Sequence, residues 1–397
     1  MNPNSDKKHL NTLHQNGPFL PGLTILRGLA ACWVVLHNDA LFRNHFRLDD
    51  QTDFVLRGYL AVDVFLFLSG FVLTVRYAPS MFASFNSQVY LEFIGRRLAR
   101  IYPLFIFLLM IRAGLETARI FIGRTDIFVG STSLDALLGN IFLVQAWGFW
   151  DEWTWVPAAW TVSAEWFCYL LFPLLLWIAR PMWSWLLAAV TAVICIGTLA
   201  GYCFHFGGME FPMQASLLRC LPEFIIGMIL GAFWLRWKPV IDLRQKWFAI
   251  GFGLLVLLGA HWGWHDLVLL CFALVLVVAS AGQSMKPVSS WQSEQDPNLR
   301  QPSQPFWYRW LLHLGTISYA IYLSHQLVQS VWIRIHAWHF KEASSLGWLC
   351  LWAAQVAMIW LCSHILYRMI ESPARNWLRS KLSGNSPRIG PETARAS

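Results

Sequence analysis

The chemistry available to this chain sits in a short set of polar side chains inside long apolar runs. These are Arg27 and His37 in the run 21–42, Asp63 and Ser69 in 54–76, Arg112 and Glu116 in 101–122, and Ser163 and Glu165 in 158–179. Arg219 and Glu223 follow in 216–236, and Ser318, Ser324 and His325 in 308–334. Such residues are costly in lipid and mark functional sites by default, although Lys and Arg near helix ends also snorkel to the interface. His37 lies a little over one turn from the end of its run, and Asp63 and Glu165 lie two to three turns below the same end of theirs. If the three converge, a carboxylate can fix the tautomer of the imidazole and support the imidazolium, which is what a general base needs. The same spacing also suits interhelical hydrogen-bond partners that only stabilise a bundle.

A second candidate is the run Arg96-Arg97-Leu98-Ala99-Arg100, followed by Tyr102 and Pro103, at the start of the third apolar stretch. Residues three apart are neighbours on a helix, so Arg97 and Arg100 can share one face. Such a pair can hold phosphates through charge-assisted hydrogen bonds. It can equally set topology and touch lipid phosphates.

The elements that must position these groups follow from composition. The chain has 397 residues, of which 56% are hydrophobic and 13% charged, far from the soluble average. This predicts an all-α polytopic membrane protein, a bundle of about ten transmembrane helices, over roughly 21–42, 54–76, 101–122, 158–179, 184–206, 216–236, 247–263, 265–282, 308–334 and 346–369. The apolar piece Leu134 to Trp147 is too short to cross and reads as a re-entrant or surface helix. Ser289 to Pro305 reads as a flexible loop.

Placing the amino terminus inside puts Lys7, Lys8, Arg96, Arg97, Arg100, Arg180, Lys238, Arg244, Lys246, Lys286, Arg300, Arg375, Arg379 and Lys381 on one side. Both termini are therefore expected to be cytoplasmic, and the net charge of +8 reads as topology, with no nucleic-acid partner expected. The 8 cysteines are scattered without a C-x-x-C pair, so neither a disulfide nor a metal site is expected. No cleaved leader is expected, because the first twenty residues hold no apolar stretch.

Six segments together resemble the integral membrane acyltransferase-3 family. They are Leu26-Arg27-Gly28-Leu29-Ala30-Ala31 running to His37; Val62-Asp63-Val64-Phe65-Leu66-Phe67-Leu68-Ser69-Gly70-Phe71; Arg96 to Pro103; Ala159-Trp160-Thr161-Val162-Ser163-Ala164-Glu165-Trp166-Phe167; Ile317 to His325; and Ile370-Glu371-Ser372-Pro373. The resemblance implies a ten-helix domain that takes an acyl group, commonly acetyl, from cytoplasmic acyl-coenzyme A to a hydroxyl of a carbohydrate or lipid-linked acceptor. Acyl-CoA (acetyl-CoA) would be a cosubstrate, with no permanently bound cofactor. His37 would be catalytic with Arg27 in support, and Arg97 and Arg100 would handle the donor. The implied organisation is a cytoplasmic segment 1–20, a transmembrane acyltransferase domain 21–375 and a cytoplasmic polar tail 376–397, with no soluble domain after it. The cytoplasmic (inner) membrane of a bacterium is the expected location.

In the family the first-helix basic residue and histidine stand eleven positions apart, sharing a face; here Arg27 and His37 are ten apart, roughly 80° out of phase, with Asn38 next. Arg27 then needs a kink in the helix or serves separately. Asp63 or Glu165 is expected to orient His37, and Ser69, Trp160 or Ser163 to line the acceptor side or bind the oxyanion. A covalent acyl-histidine stays open. Two rival readings compete. A polyprenol-dependent glycosyltransferase would use the loop acids Asp49 and Asp50, and a transporter would use Arg112, Glu116, Arg219 and Glu223, although each Arg/Glu pair, four apart, can neutralise itself on its own helix.

Overall fold

The computed structural model describes residues 20–83, 86–123, 128–179, 185–210, 213–237, 244–281, 305–339 and 345–383. Among these the regular elements are all helical. The principal helices are α1 (Pro21–His37), α2 (Ala40–Phe46), α3 (Leu60–Ala83), α4 (Ser87–Ala118), α5 (Leu134–Ile141), α6 (Trp160–Ala179) and α7 (Trp185–Phe206). They continue as α8 (Ser216–Trp237), α9 (Arg244–His261), α10 (Asp266–Ala281), α11 (Phe306–Thr316), α12 (Ser318–His339), α13 (Ser345–Leu366) and α14 (Ser372–Ser383).

Every run expected as a span is helical, and six helices among the described residues are long and apolar enough to cross a membrane, or seven if α1 and α2 form one bent span. The run 308–334 is not one helix: it breaks at Ile317, where the Ser318 hydroxyl donates to the Gly315 carbonyl at 2.9 Å. The apolar piece from Leu134 is helical for only 8 residues and does not cross. Of the expected loop Ser289 to Pro305, all but Pro305 lies outside the described residues. The tail expected from residue 376 begins as the second half of α14.

The outside of the bundle is apolar, with Val193 69% and Phe204 93% exposed, while Asp63, Arg219 and Glu223 inside are at 1% or less. That inversion suits lipid surroundings, and the chain is a multi-pass membrane protein.

The central helix is α3, apolar on all sides and largely enclosed. It packs against α8 backbone to backbone: a Cβ on Gly70 would stand 2.0 Å from the Phe224 carbonyl oxygen, and one on Gly227 2.3 Å from that of Phe67. Close approach of this kind lets van der Waals packing hold helices where no hydrophobic force between them exists. Across the same contact Arg219 binds Asp63 through Nε and Nη2, both at 2.7 Å. Glu223 stands 3.8 Å from Arg219, so the pair four apart on α8 do approach. The other such pair does not form among the described residues: Glu116 binds Arg119, its neighbour three residues on along the same helical stretch, at 2.7 Å instead of Arg112.

Helix α1 begins on a proline at its first turn, where the missing N–H costs nothing. It ends at His37, and Asp39 caps α2 by accepting from the Phe42 N–H at 3.2 Å, giving a 64° bend. The bend sets His37 at the end of α1 instead of within a straight helix.

Removing Arg219 alone leaves Asp63 desolvated and unpaired beside Glu223, so Arg219→Met is expected to cost about 3–5 kcal/mol of stability. Thermal unfolding in detergent measures this, and an unchanged midpoint would show that the pair does not hold α3 to α8.

Candidate active site

His37 is held by the turns that follow α2. Its Nδ1 lies 3.0 Å from the Val55 carbonyl oxygen. A carbonyl only accepts, so Nδ1 carries the proton and Nε2 keeps its lone pair, the tautomer of a base. Val55 belongs to a helical turn (Asp53–Leu56) capped by Thr52, whose hydroxyl accepts from the Phe54 N–H at 3.0 Å. Trp33 of α1 donates to the Phe54 carbonyl at 2.8 Å and stacks on the Phe54 ring. Gly58 is required by contact, since a Cβ there would stand 2.4 Å from His37 Cβ. The Tyr59 ring meets the imidazole edge-on at 5.8 Å. Arg43 donates to the His37 carbonyl at 2.6 Å and grips Asp49 at 3.0 and 2.8 Å. Glu210 and Arg43 lie within electrostatic reach of the ring.

Neither expected carboxylate reaches His37 by ion pair or hydrogen bond among the described residues. Asp63 is taken by Arg219, which at 1% exposure has to meet a counter-charge across the α3–α8 contact. Glu165 points to a different place: the hydroxyls of Ser69 and Tyr169 both donate to its Oε1. A backbone carbonyl therefore orients the His37 imidazole where a carboxylate was expected.

Glu165 and Ser69 line a small cavity in the middle of the bundle together with Arg27, Thr161, Ser318, Tyr319 and Tyr322. The charges of Arg100, Glu165 and Glu371 reach Arg27, yet its guanidinium makes no hydrogen bond among the described residues. α1 runs regularly to His37, so Arg27 faces this cavity while His37 faces Val55 and Tyr59. The spacing of ten puts them in separate places along one helix. Thr161 donates to the Tyr322 hydroxyl at 3.0 Å across the cavity wall.

Beyond the cavity lies the arginine cluster. Arg97 is buried and donates to the Tyr77 hydroxyl at 2.7 Å, with its guanidinium over the rings of Tyr77 at 5.1 Å and Tyr169 at 6.0 Å. Arg100, half-buried, acts on Arg27, Glu371 and Tyr319. Arg96 is neutralised by Glu92. Arg76 of α3 joins the group, since Arg96, Arg97 and Arg100 all act on it. The sequence pattern does not single Arg76 out: at a span end it looks like one more topology charge. Glu371 faces the cluster from a π-helical turn (Tyr367–Glu371), 3.9 Å from Arg375.

Ser163 and Trp160 belong to the scaffold. The Ser163 hydroxyl donates to the Leu143 carbonyl at 2.8 Å and accepts from the Ala146 N–H at 3.0 Å, pinning the loop after α5. Trp160 packs on Trp153 at 5.8 Å and carries the Arg219 guanidinium over its ring at 5.8 Å. Asp49 and Asp50, the acids of the glycosyltransferase reading, are engaged separately by Arg43 and by Arg47 at 2.7 Å.

The profile of an acyltransferase domain, that of the acyltransferase-3 family, matches residues 20–368. The chain belongs to this family. It is similar to the acyltransferase MdmB of Streptomyces mycarofaciens, 26% identical over 90% of this chain and 92% of that protein. It is also similar to the exopolysaccharide production protein ExoZ of Rhizobium meliloti (strain 1021), 27% identical over 69% of this chain and 77% of that protein. No solved structure gives a significant match. The protein is thus an integral membrane O-acyltransferase, which sets the glycosyltransferase and transporter readings aside.

In this acyltransferase Ser163→Ala would leave the Ala146 N–H without its partner, at a cost of about 1–3 kcal/mol. A lowered unfolding temperature with unchanged Michaelis constants is expected; a raised Michaelis constant at unchanged stability would return Ser163 to the substrate site.

Proposed function

We propose that the enzyme moves an acyl group, acetyl in the simplest case, from cytoplasmic acyl-coenzyme A to a hydroxyl of a carbohydrate or lipid-linked glycan on the opposite face of the membrane. The observation that carries this reading is the disposition of α1. Its Arg27 faces a cavity adjoining the Arg76, Arg97 and Arg100 cluster, and its His37, about 15 Å further along the axis, makes no Nε2 hydrogen bond among the described residues. An extended pantetheine arm can cover that distance.

The phosphates of the donor would meet Arg97 and Arg100, with Arg27 deeper along the arm. His37 Nε2 takes the proton of the acceptor hydroxyl as its oxygen attacks the thioester carbonyl. The tetrahedral intermediate collapses by breaking the carbon–sulfur bond, and the thiolate recovers the proton from the imidazolium. With Nδ1–H held on Val55, the imidazolium keeps one hydrogen bond throughout. Positive charge at the arginine end supports placing that end in the cytoplasm. A donor made in the cytoplasm and the bacterial source of both relatives support the inner membrane as the location. The likeness to an exopolysaccharide production protein supports a carbohydrate acceptor.

His37→Ala is expected to lower turnover by about 10²- to 10⁴-fold with insertion and abundance intact. Near-normal turnover in purified protein would remove His37 from the reaction. In oriented vesicles, acyl-coenzyme A supplied only at the arginine face should acylate acceptor confined to the other face. Acylation only when both are on the arginine face would refute the trans-bilayer reading and leave the family assignment standing.

A further inference from the structure

His325 of α12 is fully buried, and the mechanism above does not use it. Its Nδ1 lies 2.6 Å from the Tyr322 carbonyl oxygen, so Nδ1 bears the proton and Nε2 is an acceptor. Nε2 has no partner. An imidazole kept only for packing would leave that acceptor desolvated at a cost an apolar residue avoids.

Its place in the fold suggests what it accepts from. Ser318, Tyr322, His325 and Gln329 recur at four, three and four residues, one stripe of α12. Ser318 and Tyr322 line the Arg27 cavity, and Gln329 donates to the Val35 carbonyl of α1 at 3.1 Å. His325 therefore faces α1 between the cavity and the His37 end, about 4.5 Å beyond Tyr322 along the axis. His37 lies within electrostatic reach of it. On the acyl-coenzyme A reading, a donor arm running from the Arg27 cavity toward His37 along α1 would pass beside this point. The acceptor, arriving from the other end, need not.

We infer that His325 is a donor-binding residue whose Nε2 accepts a hydrogen bond from an amide N–H of the pantetheine arm. This rests on the acyl-coenzyme A reading above. A neutral imidazole is suited to the task, because it accepts from an amide without adding charge to the passage.

The test is calorimetric binding of acetyl-coenzyme A, and of adenosine 3′,5′-bisphosphate, which lacks the arm, to full-length protein in detergent. His325→Phe should weaken acetyl-coenzyme A about three- to tenfold and leave the bisphosphate unchanged. His325→Gln, which retains an acceptor of similar reach, should restore most of the affinity. Equal binding of acetyl-coenzyme A by wild type and Phe variant, or equal losses in both variants, would overturn the inference. So would loss of folded protein in the Phe variant, since deleting an unpaired acceptor is not expected to destabilise. Failure of the wild type to bind acetyl-coenzyme A would remove the donor reading and this inference together.

Discussion

The bidentate contact between Arg219 and Asp63 fixes more of this molecule than its two residues. Both charges are removed from water, so each depends on the other, and each tolerates little displacement. The same guanidinium reaches the carbonyls of Met209 and Tyr59, and Tyr59 in turn donates to Asp266 at 2.9 Å, where Arg57 also binds. The segment from Arg57 to Asp63 is thereby clamped between α8 and α10. Val55, Gly58 and Tyr59, the residues against which His37 rests, lie in or beside that segment. The orientation of the His37 imidazole is thus a consequence of a charge pair on other helices.

The other end of the site is arranged in the opposite way. Arg27 makes no hydrogen bond among the described residues, while Arg97 is held by a hydroxyl and by aromatic faces. Charges so loosely compensated inside a bundle are costly, and they are better matched by an anion that comes and goes than by a resident carboxylate. Glu165, a carboxylate within electrostatic reach of both Arg27 and Arg97, is already engaged by two hydroxyls. α1 joins the two regimes, rigid at His37 and under-neutralised at Arg27, within a single regular helix.

Much of this was legible in the sequence. The apolar runs gave the helices, because lipid admits only segments that satisfy their own backbone. The polar residues within those runs were found by type alone, and the ordered segments from Leu26 to Pro373 marked the family. The glycines of α3 and α8 were not read, since a glycine reveals a close approach only when its neighbour is known. The roles of Val55, Tyr59, Thr161 and Tyr322 were not legible for a related reason: they come from a carbonyl, a ring edge or a hydroxyl at one position, and no pattern in composition signals that.

Pairing was where sequence reading went astray. Counting at 1.5 Å per residue gives the depth of a side chain along its own helix. On that basis Asp63 and Glu165 stood at levels compatible with His37. Depth says nothing of the direction in which each helix turns toward its neighbours. The α3–α8 contact gave Asp63 to Arg219, the α3–α6 contact gave Glu165 to Ser69, and the bend after α1 gave His37 to a backbone carbonyl. The sequence by itself determined which groups would be buried and how deep. Only the tertiary structure decided which of them meet, because a hydrogen bond needs both partners on facing sides, and facing sides are set by the packing of whole helices.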